Sequence, residues 1–193
     1  MFDEHDTIFL QKDTHLSMRK IYNIISNQQI IGTVEETKAS ANHVGNQLLG
    51  LVGLTSVVSY EFHMLDRGEN LLGTLKKKKG FYNDFQLFSN KGKHVATIKS
   101  NVKVKNPSLT VVDQDGNSFM KALGGYGATD FTIINSNKEP ISTIKRRSLV
   151  YETTRESIVH DDGYYIDITE QDSLVTSSLI AVGLVIDLYF FRA

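Results

Sequence analysis

Cysteine is absent from the 193 residues, so the chain forms no disulfide and has no thiolate with which to hold zinc. The opening MFDEHDTIFLQKD is acidic and has neither the basic region nor the long apolar region of a secretory signal. The lack of cysteine leaves the compartment open while suiting a cytoplasmic protein, and the lack of a signal gives the expectation of an intracellular, cytoplasmic one. Catalytic signatures are missing too. His5, His15, His43, His63, His94 and His160 are scattered, with no His-Glu-x-x-His pair, no serine nucleophile elbow and no phosphate-binding loop. Gly124-Gly125-Tyr126-Gly127 has no strand-turn-helix unit with a downstream acid around it, so it is expected as a flexible junction between hairpins, not a dinucleotide site. The expectation is a protein that is not an enzyme and carries no cofactor.

What the chain does have is one long apolar run at its end, SLVTSSLIAVGLVIDLYFFRA over residues 173–193, broken by Asp187. A segment apolar on every side of a helix must be wrapped by lipid or by protein. As a helix, residues 174–191 would rise roughly 27 Å, close to the hydrocarbon thickness of a bilayer. Thr176, Ser177 and Ser178 shorten the strongly apolar part, and Asp187 would be costly in lipid. A helix buried inside the protein is therefore preferred to a membrane anchor.

The remainder builds the wrapper. One pattern occurs five times: alternating apolar residues, a polar turn, then a second apolar strand. The copies run from Tyr22-Asn-Ile-Ile to Ile31-Gly-Thr-Val34, Phe62-His-Met-Leu to Leu72-Gly-Thr-Leu75, Phe85-Gln-Leu-Phe to Val95-Ala-Thr-Ile98, Leu109-Thr-Val-Val to Phe119-Met-Lys-Ala122, and Phe131-Thr-Ile-Ile to Ile141-Ser-Thr-Ile144. The fourth departs in its second half. Period-two alternation around turn formers such as Asn90-Lys91-Gly92, Asp115-Gly116 and Asn135-Ser136-Asn137 makes each copy a hairpin. Starts at 62, 85, 109 and 131 are spaced as a meander. Five hairpins give ten strands, with residues 7–11, 148–152 and 164–168 as candidates for the others. Residues 39–54 break the pattern and read as a short helix or loop. A sheet of about twelve strands closes to remove its edges, and its interior is then too wide for its own side chains to fill. The fold expected is a mainly β, single-domain closed antiparallel barrel over residues 1–193, with the C-terminal helix as its plug.

The repeated Gly32-Thr33, Gly73-Thr74 and Ala96-Thr97 steps, and the ending Ile186-Asp187-Leu-Tyr-Phe190-Phe191, resemble the Tubby-like superfamily, which includes phospholipid scramblases and LURP-one-related proteins. The ending looks like the Ile-Asp-x-x-Phe-Phe terminus of scramblases. Scramblases also carry a proline-rich region and a palmitoylated cysteine cluster; with only Pro107 and Pro140 and no cysteine, this chain is more similar to the short LURP-one-related or bacterial scramblase-like branch. The resemblance implies a closed barrel around a hydrophobic helix and, from the Tubby branch, recognition of phosphoinositide headgroups by basic surface residues.

Charge is unevenly distributed. Nine lysines lie between 76 and 105 against the single acid Asp84, whereas residues 150–172 hold seven acids against Arg155. Such a basic face attracts phosphates; its plain alternative is a solvated lysine-rich edge. Lys76, Lys77, Lys78 and Lys79 are the candidate lipid-binding residues, and they act together only if they lie in a loop or past a strand end. The resemblance also places a scramblase-type calcium segment at Asp161, Asp162 and Asp167, although the run lacks EF-hand spacing and reads equally as a turn before the helix, capped by Asp172 or Ser173. Asp113-Gln-Asp115-Gly116-Asn117 fits a hairpin turn better than a calcium loop. Buried Asp187 needs a cation, for which Arg146, Arg147 and Arg155 are the candidates. The role expected is peripheral association with an anionic phospholipid surface, without nucleic acid. A protein-interaction scaffold, or a scramblase with a membrane-inserted helix, is the rival.

Overall fold

The computed structural model of the protein describes residues 2–13, 19–42, 57–81, 83–102, 105–147 and 163–191. Twelve strands are present among them: β1 (Thr7–Lys12), β2 (Ile21–Ser26), β3 (Gln29–Glu36), β4 (Tyr60–Asp66), β5 (Leu71–Lys77), β6 (Phe85–Ser89), β7 (His94–Asn101), β8 (Ser108–Val112), β9 (Ser118–Gly124), β10 (Asp130–Asn135), β11 (Pro140–Arg146) and β12 (Gly163–Asp167). Each pairs antiparallel with its sequence neighbour, and β12 pairs back onto β1 to close the barrel. The period of two that marks the strands in sequence becomes an inside and an outside. In β4, Tyr60, Phe62 and Met64 are buried while Glu61 and His63 face out.

The five-fold repeat is realised in the turns. In four hairpins the side-chain oxygen of the residue that ends the strand, or in β8 directly follows it, accepts a backbone N–H four positions on: Asp66 from Asn70, Ser89 from Lys93, Asp113 from Asn117 and Asn135 from Glu139. The same four residues donate their own N–H to the carbonyl of that partner. Each turn passes through a left-handed residue, at Glu69, Gly92, Gly116 and Lys138 respectively, and each is followed or preceded by a one-residue register shift. Bulges of this kind increase local twist, which a closing sheet requires. The first hairpin instead uses a two-residue turn, Asn27-Gln28, with both residues left-handed. The fourth copy pairs like the rest despite its divergent half, because Met120 and Ala122 still face inward.

The helix α2 (Ser173–Phe190) runs through the barrel. Asp172 caps it, accepting the N–H groups of Leu174 and Val175. Residues 178–188 are all buried, and inward side chains from strands on all sides belong to the same core. Gly183 lets the helix lie against the closure seam, since a Cβ there would sit 3.3 Å from Ile166 and 3.4 Å from Leu10. Of the other expected elements, α1 (Lys38–Ala41) supplies the short helix after the first hairpin. Asn42 caps it, and residues 43–54 and the strand expected at 148–152 lie outside the described residues. Gly124-Gly125-Tyr126-Gly127 is a hydrogen-bonded turn, not a loose junction. Gly125 N–H donates to Asp130 and Ala128 N–H to Gly125, with Gly127 in the left-handed region.

At the seam, a Cβ on Gly163 would lie 2.5 Å from the Leu10 carbonyl and 2.7 Å from the Phe9 ring. Gly163→Ala is expected to lose about 1–3 kcal/mol in a denaturant titration; an unchanged midpoint would show that β1 and β12 separate easily. A second expectation concerns acid. Hydrogen bonds from the Asn70 side chain and backbone hold the Asp66 carboxyl below its ordinary range, and the Asn117 N–H does the same for Asp113. Their stabilising effect is complete above the unfolded value of 3.8 and is lost as pH falls through the lowered folded values. The variant D66N/D113N keeps the turn, as Asn135 does, and is expected to flatten the acid limb of a pH-stability curve.

Candidate functional site

The meander sorts the loops, and with them the charges. One end of the barrel carries the tight hairpin turns; the other carries the links that leave β3, β5, β7, β9 and β11. The turn end holds Asp3, Glu4, Asp6, Asp66, Glu69, Asp113, Asp115, Glu139, Glu170 and Asp172 against Arg67, Lys91, Lys93 and Lys138. Among the described residues the link end holds the basic majority, with Asp13, Glu35, Glu36, Glu61, Asp84 and Asp130 as its acids. Several of its acids are paired: Glu35 with Arg19, Glu36 with Lys20, Glu61 with Lys76. Lys78, Lys79, Lys99, Lys105 and Lys145 stand exposed there. Burial raises the pKa of Asp84 beside them, against the pull of Lys99.

The lysine run is divided by the strand that carries it. Lys76 points outward, 3.1 Å from Glu61 Oε1 and 5.8 Å from the centre of the Phe88 ring. Lys77 points inward and is 2% exposed. Its ammonium donates to the carbonyls of Val58 at 2.8 Å, Gly80 at 2.9 Å and Lys78 at 3.4 Å. Lys78 and Lys79 lie past the strand end, in solvent. The expectation of four lysines acting together is thereby corrected. Alternation puts Lys77 inside, where it binds the loop that displays its two successors. That loop is further held by Asn83, whose side chain donates to the Lys79 carbonyl at 2.8 Å and whose own carbonyl accepts from Tyr189 of α2 at 2.8 Å. Along the wall beside it, a groove of about 350 Å³ runs past Ser40, Tyr60, Glu61 and Lys76.

Asp187 sits inside the barrel near the link end, 2% exposed. Its Oδ2 accepts from Tyr22 at 2.6 Å and lies 3.6 Å from Lys12 Nζ, and its Oδ1 accepts from Tyr164 at 3.1 Å. The arginine partners expected from sequence are corrected. Arg146 lies over the Phe191 ring at 4.3 Å and Arg147 over Phe9 at 5.2 Å, while Arg155 lies outside the described residues. The reason is position: Arg146 ends β11 directly opposite Tyr164 and its guanidinium is taken up by the Phe191 ring, Arg147 lies past the strand end against Phe9, and Tyr22 and Tyr164 reach Asp187 from β2 and β12 with Lys12 at the end of β1. The two tyrosines were legible in sequence only as first strand aromatics, with nothing to mark their hydroxyls as partners.

Of the calcium candidates, Asp161 and Asp162 lie outside the described residues. Asp167 ends β12 at the turn end and accepts the Thr143 hydroxyl. Asp113 is committed to its own turn. Among the described residues no group of three His, Asp or Glu converges as a metal site would require. Two exposed aromatics had no role in the sequence reading, which passed over Phe81 and named Tyr126 only within the glycine-rich junction. Phe81 and Tyr126 are 66% and 80% exposed, in the β5–β6 and β9–β10 links of the basic end. Their signal was an aromatic displaced from the alternating pattern, beside lysine and glycine.

Asp187→Asn is expected to cost about 1–3 kcal/mol, because one tyrosine hydroxyl loses its anionic acceptor inside the core. In a cycle with Tyr22→Phe the two losses are expected to couple; strict additivity would show that the 2.6 Å contact contributes nothing.

The family model for LURP-one-related proteins matches residues 39–187. No curated protein matches the chain. Among solved structures, the chain is similar to the X-ray structure of a protein from Arabidopsis thaliana, at 12% identity and a TM-score of 0.55, over 94% of this chain and 91% of the other. That likeness bears on the fold alone, a closed Tubby-like barrel. With the matched region running from α1 to Asp187, the chain belongs to the LURP-one-related family.

Proposed function

We propose that this barrel is a non-enzymatic, cytoplasmic module that associates peripherally with anionic phospholipid surfaces. The observation that supports the reading is the basic excess of the link end among the described residues, with Lys78 and Lys79 presented on a loop that Lys77 and Tyr189 hold from within. A lysine near an anionic leaflet contributes about 1 kcal/mol, so a small fixed group gives reversible binding that added salt weakens. The helix is enclosed by the barrel, with two thirds of its apolar window buried; a scrambling role through membrane insertion would require the barrel to open, which makes peripheral contact the simpler reading. A protein-interaction scaffold stands as the rival, favoured by binding that is indifferent to lipid charge.

The test is co-sedimentation with phosphatidylserine-containing vesicles over a salt series. K78Q/K79Q is expected to weaken binding by about 2 kcal/mol, on the order of thirtyfold, with the fold intact. Equal binding of the variant and the wild type would end the lipid reading for this loop.

A further inference from the structure

Three of the five large apolar residues exposed on the described surface, Phe81, Leu123 and Tyr126, lie at the link end, whereas Ile30 and Leu174 lie at the turn end. Phe81 follows Lys78 and Lys79 in the β5–β6 link. Tyr126 tips the β9–β10 turn, lifted by glycines on both sides. The two links are four strands apart in a ring of twelve, a third of the way round the same rim. Neither ring packs on the core, and the loops that carry them are braced by hydrogen bonds. Asn83 and Lys77 hold the first, and the Gly125–Asp130 and Ala128–Gly125 bonds hold the second.

We infer that the link end is the docking face for an anionic bilayer, with Phe81 and Tyr126 as two apolar tips that enter the headgroup region while Lys78, Lys79, Lys99, Lys105 and Lys145 lie against the phosphates. This deepens the proposed function and rests on it. Charge complementarity selects the occupant: among the described residues the exposed cations of this rim outnumber its exposed acids, Asp84 and Asp130, and match an anionic plane, while the acidic turn end faces away from it. Aromatic rings at the water-lipid boundary next to lysines combine two attractions, and stable peripheral binding generally needs two. Separation of the tips around the rim fixes orientation as well as affinity. A single tip would leave the barrel free to pivot, whereas two set its axis steeply to the membrane with the C-terminal end of α2 toward it.

The chain contains no tryptophan, so one introduced indole reports on its own position. F81W, Y126W and I30W are made singly; the 66%, 80% and 50% exposure of these side chains leaves room for the larger ring. Each is mixed with phosphatidylcholine vesicles containing a minor fraction of phosphatidylserine, with and without brominated acyl chains. F81W and Y126W are expected to shift their emission to the blue and to be quenched by the brominated lipid, while I30W does neither. Wild-type sedimentation is followed in parallel. If the wild type sediments but neither tip is quenched, or I30W is quenched instead, the docking face is wrong and the lipid reading stands. Quenching at one tip alone overturns the two-point geometry. Absence of wild-type sedimentation at low salt removes the lipid reading and this inference with it. F81A and Y126A provide a second measurement: each is expected to weaken sedimentation about tenfold at unchanged thermal stability, and equal affinity for both counts against the tips.

Discussion

The structure depends on enclosing a helix that has no polar face. Residues 178–188 of α2 are buried all round, a state that water does not permit and that a single packed sheet would satisfy on one side only. A twelve-stranded barrel has the complementary defect, since its lumen is wider than its own side chains can fill. Each element removes the other's cost. The strands need no second sheet, the helix needs no lipid, and the inward residues of every strand meet a common partner.

Depth and rotation of the helix are set by its polar exception and its aromatic end. Asp187 is held by Tyr22 and Tyr164 with Lys12 nearby. Just beyond it, Tyr189 packs edge-on against Phe85, Phe190 lies near Phe131, and Phe191 lies between Tyr164 and Arg146. The Ile-Asp-x-x-Phe-Phe ending thus has a mechanical meaning. One carboxylate sets the register along the axis, and three rings fasten the terminus to three parts of the rim. A residue costly in the interior is retained because alternative depths would leave it without acceptor-matched donors.

The architecture was legible because its causes are local and repeated. Alternation from Phe62, Phe85, Leu109 and Phe131, and turn residues at Asn90, Asp115 and Asn135, recur at nearly constant spacing, and repetition makes each weak signal strong. The apolar ending then required a lumen. The site was less legible because its causes are not local. Whether Lys77 faces in or out follows from the register of β5 against β4 and β6, and no count of lysines contains that. The partners of Asp187 come from strands 165 and 23 residues away along the chain, and among several cations the choice depended on which wall each strand occupied. Phe81 and Tyr126 show the same limit from the other side, because an aromatic in a link is marked only by having no core to join.

The unequal sharing of the described acids and bases between the two ends has a consequence at a distance. Although the net charge is −1, the described residues alone place an acidic excess at the turn end and a basic excess at the link end, and on such a charge pair a charged plane exerts a torque before any atom touches. For the proposed docking, that torque would turn the mouth toward a negative boundary during the approach and raise the fraction of productive encounters without strengthening any single contact.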